Sequence, residues 1–94
     1  MLTIFIEYKV AEEKREAFLQ QLSLMPKRLA VLGASGYRSY EGMDQPNLFV
    51  ETFEVETEEH YHQIKAWRLA DRDFCACVAG GEAKVHVWAF RPVE

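Results

Sequence analysis

Three histidines, two tryptophans, four tyrosines and two cysteines are the side chains of this 94-residue sequence best suited to binding or proton chemistry. His60 and His62 stand two apart in a helical pattern, so their side chains diverge by roughly 200° and cannot chelate one metal ion from that helix. At most one can enter a pocket as a general base for a substrate proton. The alternative is that both face solvent or pack structurally. His86 lies between Val85 and Val87 and shares a strand face with Trp88 and Phe90. That setting suits a hydrogen-bonded interface residue, and a histidine there would change charge near neutral pH. Cys75 and Cys77 are separated by one residue, which fits neither a strain-free disulfide nor a CxxC redox pair. Nothing near them supplies the base or positive field that would activate a thiol. Gly80-Gly81 lacks the remaining residues of a phosphate-binding loop. No nucleophile–base–acid constellation is present.

Trp67 falls on the apolar stripe of a helical segment, where a large aromatic is either core or a pocket wall able to stack on a planar ligand. Tyr8, Tyr37, Tyr40 and Tyr61 could add phenol groups to the same cavity, and an apolar pocket with a few convergent polar groups is the usual form of a small-molecule site. Arg68 and Arg72, one turn apart, could hold a carboxylate. Pairing with Asp71 and glutamates on a solvated face is the plainer expectation.

Composition narrows the classes. Hydrophobic residues make up 49% and charged residues 28%, an ordinary globular balance. The net charge of −4 argues against a nucleic-acid binder, which needs clustered Lys and Arg. No apolar run approaches the ~20 residues of a membrane-spanning helix. The opening run Leu2–Ile6 is too short for a signal peptide and lacks a basic start. A cytoplasmic protein with reduced thiols is expected, organised as one domain over residues 1–94. A domain of this size buries only roughly 60–65% of its unfolded surface.

The elements that must position these side chains are legible as patterns. Leu2–Val10 alternates as a strand. A helix then opens in acidic Ala11–Glu16 and carries the stripe Phe18, Leu22, Met25, Leu29 and Leu32. Pro26 predicts a break near Leu24–Met25, and Gly33 ends the helix. Tyr37–Gly42 and Asn47–Val55 form a hairpin about Met43–Pro46. Thr57 caps a second helix with the buried stripe Tyr61, Ile64, Trp67, Ala70, Phe74 and Cys77 or Val78, loosened at Asp71–Asp73 and stopped by Gly80-Gly81. Ala83–Arg91 is the last strand. The order β-α-β-β-α-β predicts an α+β, ferredoxin-like fold with a four-stranded antiparallel sheet and two helices on one face.

Both faces of the predicted strands are apolar, whereas a sheet with one wet face alternates with polar residues. The chain's own helices can cover one face only. A second copy is therefore expected on the other, in a homodimer to which Phe5, Phe49, Phe53, His86, Trp88 and Phe90 contribute.

The opening strand Ile4–Val10, the helix ending Leu32-Gly33-Ala34-Ser35-Gly36-Tyr37, the segment Leu48–Phe53 and the helix start Thr57-Glu58-Glu59-His60-Tyr61 together resemble the antibiotic-biosynthesis-monooxygenase-like family of dimeric α+β barrels. The resemblance runs over nearly the whole chain. It implies two sheets packed face to face and a pocket between helices and sheet in each subunit. Members include cofactor-independent oxygenases of electron-rich aromatic molecules and haem-degrading or haem-binding proteins. The implied function is cofactor-independent monooxygenation of a small aromatic or other oxidisable metabolite, with His60 or His62 as base and Trp67, Tyr8, Tyr37 and Tyr61 binding substrate. The alternative is a non-catalytic ligand-binding or structural dimer.

The haem-degrading pattern of an Asn on the first strand, a Trp on the second helix and a His beyond it is matched here only by Trp67. Tyr8 stands near the Asn position, and Phe74-Cys75-Ala76-Cys77 occupies that of the His. No cofactor, haem or structural metal is expected, a Cys75 or Cys77 thiolate being the one conceivable haem ligand.

Overall fold

The computed structural model describes residues 1–94. The chain runs β1 (Leu2–Lys9), a 3-10 turn (Glu12–Lys14), α1 (Arg15–Leu22), α2 (Met25–Val31), β2 (Ser35–Glu41), β3 (Leu48–Val55), α3 (Glu58–Ala70), α4 (Arg72–Cys77), a second 3-10 turn (Gly81–Lys84) and β4 (His86–Phe90). The sheet order is β2-β3-β1-β4, and every neighbouring pair is antiparallel. This is the split β-α-β-β-α-β arrangement expected from the patterns.

Each break has a local cause. Pro26 sits in the first turn of α2, where its missing N–H costs nothing, so the helical run is divided at Ser23-Leu24. Gly33 takes φ 93° as the chain leaves α2, while its N–H bonds to the Ala30 carbonyl at 3.1 Å. Thr57 caps α3, its hydroxyl oxygen accepting the His60 N–H at 3.1 Å. Asp71 leaves helical geometry at ψ 101°, and its side chain then caps α4 by accepting the Phe74 N–H at 3.2 Å. The last strand is shorter than expected because Gly81–Lys84 coil into a 3-10 turn before it begins.

Register decides which side chains meet the helices. Tyr8 lies opposite Phe49, Ile6 opposite Glu51 and Ile4 opposite Phe53. Directly opposed residues share a face. That face packs beneath Phe18, Met25, Leu29, Ile64 and Phe74 to form the core.

Phe49 and Phe53 therefore point at the helices and are buried, which corrects their expected grouping with Phe5, Trp88 and Phe90. The reason is parity: odd-numbered residues face the helices on β3 and the open side on β1. The open side carries Phe5, Trp88 and Phe90, which are 36%, 45% and 52% exposed.

Candidate functional site

Arg68 and Glu51 are both 0% exposed at the centre of the helix–sheet interface. Arg68 Nη1 donates to Glu51 Oε1 at 2.9 Å and Nη2 to Oε2 at 2.7 Å, a bidentate pair. The Tyr8 hydroxyl donates to Oε2 at 2.5 Å and the Tyr37 hydroxyl to Oε1 at 2.8 Å. Four donors thus converge on one carboxylate. The guanidinium carbon lies 4.3 Å from the centre of the Phe74 ring and 5.8 Å from that of Trp67.

Burial pushes the Glu51 carboxyl up, but the Arg68 charge and the hydrogen bonds from Arg68 and both phenols outweigh it and hold the group below its ordinary value. Burial likewise disfavours the Arg68 cation, and Glu51 more than restores it. Both phenols are driven far above the usual tyrosine range, by burial first and by the Glu51 charge second. The cluster is consequently locked as cation, anion and two neutral phenols. It offers no free base.

Arg68 thus occupies the inward helical position, in place of the solvated face anticipated for it. It follows Ile64 by four residues, whereas Trp67 is turned by one residue and is only half-buried. Glu51 escaped the sequence reading altogether. Its signal was available: it stands in the inward row Phe49, Glu51, Phe53, Val55, where a carboxylate requires a partner.

The other sequence-selected residues are dispersed. Tyr8, Tyr37 and Trp67 gather about the ion pair. Tyr61 lies instead beside Leu2, Ala89 and Phe90 at the β4 edge. His60 is half-buried, its ring packed where a side chain at Gly33 would otherwise stand, 3.2 Å from that Cβ position. Its Nδ1 is buried without a hydrogen-bond partner. His62 is exposed, 3.8 Å from Glu58. Neither histidine joins the ion-pair cluster.

The pocket that the family resemblance implied between helices and sheet is filled at its centre by Arg68, Glu51, Tyr8 and Phe74. The four surface concavities lie elsewhere, and none is lined by Glu51, Arg68 or Tyr37. The largest, about 560 Å³, is on the open sheet face and is lined by Phe5, Glu7, Val50, Trp88 and Phe90. Phe5 meets Phe90 edge to face at 5.3 Å, and His86 stacks on Trp88 at 5.5 Å. A smaller concavity at the same side is lined by Glu7, Lys9, Lys84 and His86, among others.

No three His, Cys, Asp or Glu side chains converge as a metal site. The Cys75 thiol lies 3.6 Å from the Arg68 carbonyl and the Cys77 thiol 3.5 Å from that of Asp73. Burial pushes both thiols above their ordinary pKa. No helix is long and apolar enough to cross a membrane.

Solved structures share this architecture over the whole chain. A protein of Nitrosomonas europaea assigned by name to the antibiotic biosynthesis monooxygenases superposes with a TM-score of 0.76 at 16% identity, covering 100% of both chains. A Bordetella bronchiseptica protein of the same assignment gives 0.74 at 13% identity, covering 99% of this chain and 97% of its own. Rv0793 from Mycobacterium tuberculosis gives 0.70 at 15% identity, with 99% and 95% covered. No family model matches the sequence, and no curated protein matches it. The chain thus has the α+β fold of the antibiotic biosynthesis monooxygenases, at identities that speak for fold alone.

Proposed function

We propose that this protein is a homodimer, joined through its open sheet faces, that binds a small planar molecule without turning it over. The observation that carries this reading is the closure of the helix–sheet centre by Arg68 and Glu51. Oxygenation without a cofactor begins by taking a proton from the substrate, which requires a base within hydrogen-bond reach. Glu51 is already saturated by four donors, and both histidines stand apart. The open face supports the dimer: Phe5, Trp88 and Phe90 form a contiguous aromatic surface of the kind that marks an interaction site.

The second reading is cofactor-independent monooxygenation of a small aromatic metabolite. It is supported by the names carried by the structural neighbours and by the gathering of Tyr8, Tyr37 and Trp67. In it, His60 or His62 serves as the base. An oxygen electrode separates the two. Reduced phenolic compounds that bind the protein should leave the rate of O₂ consumption at its protein-free value. Substrate-dependent uptake that disappears in His60→Ala or His62→Ala would establish the enzyme instead.

A further inference from the structure

The open sheet face holds a carboxylate among its aromatic side chains. Glu7 is half-buried on β1 and borders the concavity formed with Phe5, Val50, Trp88 and Phe90. The strand register sets Glu7 directly opposite His86 on β4, and Phe5 opposite Trp88. Opposed residues share a face, with Cβ atoms about 4.5–5.5 Å apart. The His86 ring is stacked on Trp88, 5.5 Å between centres, so His86 continues the aromatic patch. Neither Glu7 nor His86 is in an ion pair in the single chain. In water such a pair is worth little. The other charged groups beside them are Lys9 on β1 and Lys84 in the turn before β4. β3 presents Val50 opposite Glu7 and Leu48 opposite Lys9, so it adds no charge there. The helices, with His60 and His62, pack on the other face of the sheet.

A second copy packed over Phe5, Trp88 and Phe90 would strip water from Glu7. Lys9 and Lys84 have long stems that carry their ammonium groups out to water at the rim. The shorter His86 stays in the patch. We propose that His86 takes up a proton as two copies join and pairs with Glu7 beneath the interface, so that the dimer tightens as pH falls through the histidine range. The cause is dielectric. A pair that gains little in water gains more once water leaves, and an unpaired buried carboxylate costs more than a paired one. A dimer that binds more protons than two single chains is favoured by lower pH. The proposal rests on the homodimer reading above and adds its regulation.

Sedimentation equilibrium of the full chain over a concentration series, at about pH 8 and about pH 6, brackets the histidine range and reads the dimer dissociation constant. An opposite charge favours the ionised form by about tenfold or more, and the dimer has two such sites, so the constant should be up to ~100-fold lower at the acid end. Glu7→Gln should dimerise more tightly than wild type at the alkaline end and lose the pH dependence, because no carboxylate is left to bury. His86→Gln should lose the dependence and stay at the weaker, alkaline level. Both side chains lie on the face away from the core, so each variant should keep the far-ultraviolet dichroism of wild type. A wild-type constant that is unchanged or higher at the acid end would overturn the proposal and leave the dimer in place. So would a pH dependence that persists in Glu7→Gln or His86→Gln. A single-chain mass at both pH values and every concentration would remove the dimer reading and the proposal together.

Discussion

Arg68 on α3 and Glu51 on β3 clasp each other across the helix–sheet interface through two hydrogen bonds of 2.9 and 2.7 Å, both side chains shut off from water. Desolvating two charges is expensive, and mutual attraction offsets the cost only while both partners remain. Arg68→Ala or Glu51→Ala should therefore each destabilise the fold by about 3–5 kcal/mol. The quadruple replacement Glu51→Leu, Arg68→Met, Tyr8→Phe and Tyr37→Phe removes the charges with both phenols that depend on them, and should be milder than either single change to alanine. Tyr8→Phe alone should cost about 1.5–3 kcal/mol, as its hydroxyl donates to a charged carboxylate. Urea unfolding measures all four. Single variants as stable as wild type would show that the pair does not hold the interface.

The same cluster sets an acid and an alkaline limit. Glu51 and Glu41 both have depressed folded pKa values, so each contributes stability above its unfolded pKa that is lost as pH falls through the folded one. For Glu41, held down to about 2 by the Arg15 guanidinium and the Asn47 N–H, the loss runs from about 4.5 to about 2. Tyr8 and Tyr37 have raised values, so their contribution is complete below the unfolded tyrosine pKa of 10.0 and disappears as pH rises beyond it. Phenolate absorbance from these two residues should appear only together with loss of the near-ultraviolet dichroism of the folded state. Ionisation of both in a still-folded chain would contradict the arrangement.

Gly33 and His60 form a second, smaller joint. An alanine at Gly33 would face both an unfavourable φ of 93° and the imidazole ring 3.2 Å away. Gly33→Ala should cost about 1–2 kcal/mol. Adding His60→Ala should relieve the clash and leave the backbone penalty, so the double variant should not return to His60→Ala stability. Thermal unfolding of the three variants checks this, and a Gly33→Ala chain with an unchanged midpoint would refute it.

How much of this was written in the sequence differs between fold and site. The alternation of Leu2–Val10 and the spacing of Phe18, Met25 and Leu29 are local, so element order and the break at Pro26 could be read directly. Thr57 and Asp71 act as caps for reasons confined to a single turn. Facing was harder. Whether Phe49 points with Phe5 or against it depends on register between strands, which no single strand encodes. The ion pair was least accessible, because Arg68 reads as a surface residue until Glu51, 17 positions earlier and on another element, is placed opposite it. Glu51 in the row Phe49, Phe53 and Val55 signals that a buried partner is required, but the strand alone does not say which residue supplies it.

The open sheet face is where the functional reading is most exposed to refutation. A second copy packed over Phe5, Trp88 and Phe90 would remove from water side chains that are now one-third to one-half exposed. Trp88→Glu should disrupt that contact without loosening the core, since Trp88 lies on the face away from the helices. Sedimentation velocity at micromolar concentration is the direct measurement. Wild type should sediment at twice the chain mass of 10.9 kDa and Trp88→Glu at the mass of one chain. A wild-type protein sedimenting at 10.9 kDa would contradict the account.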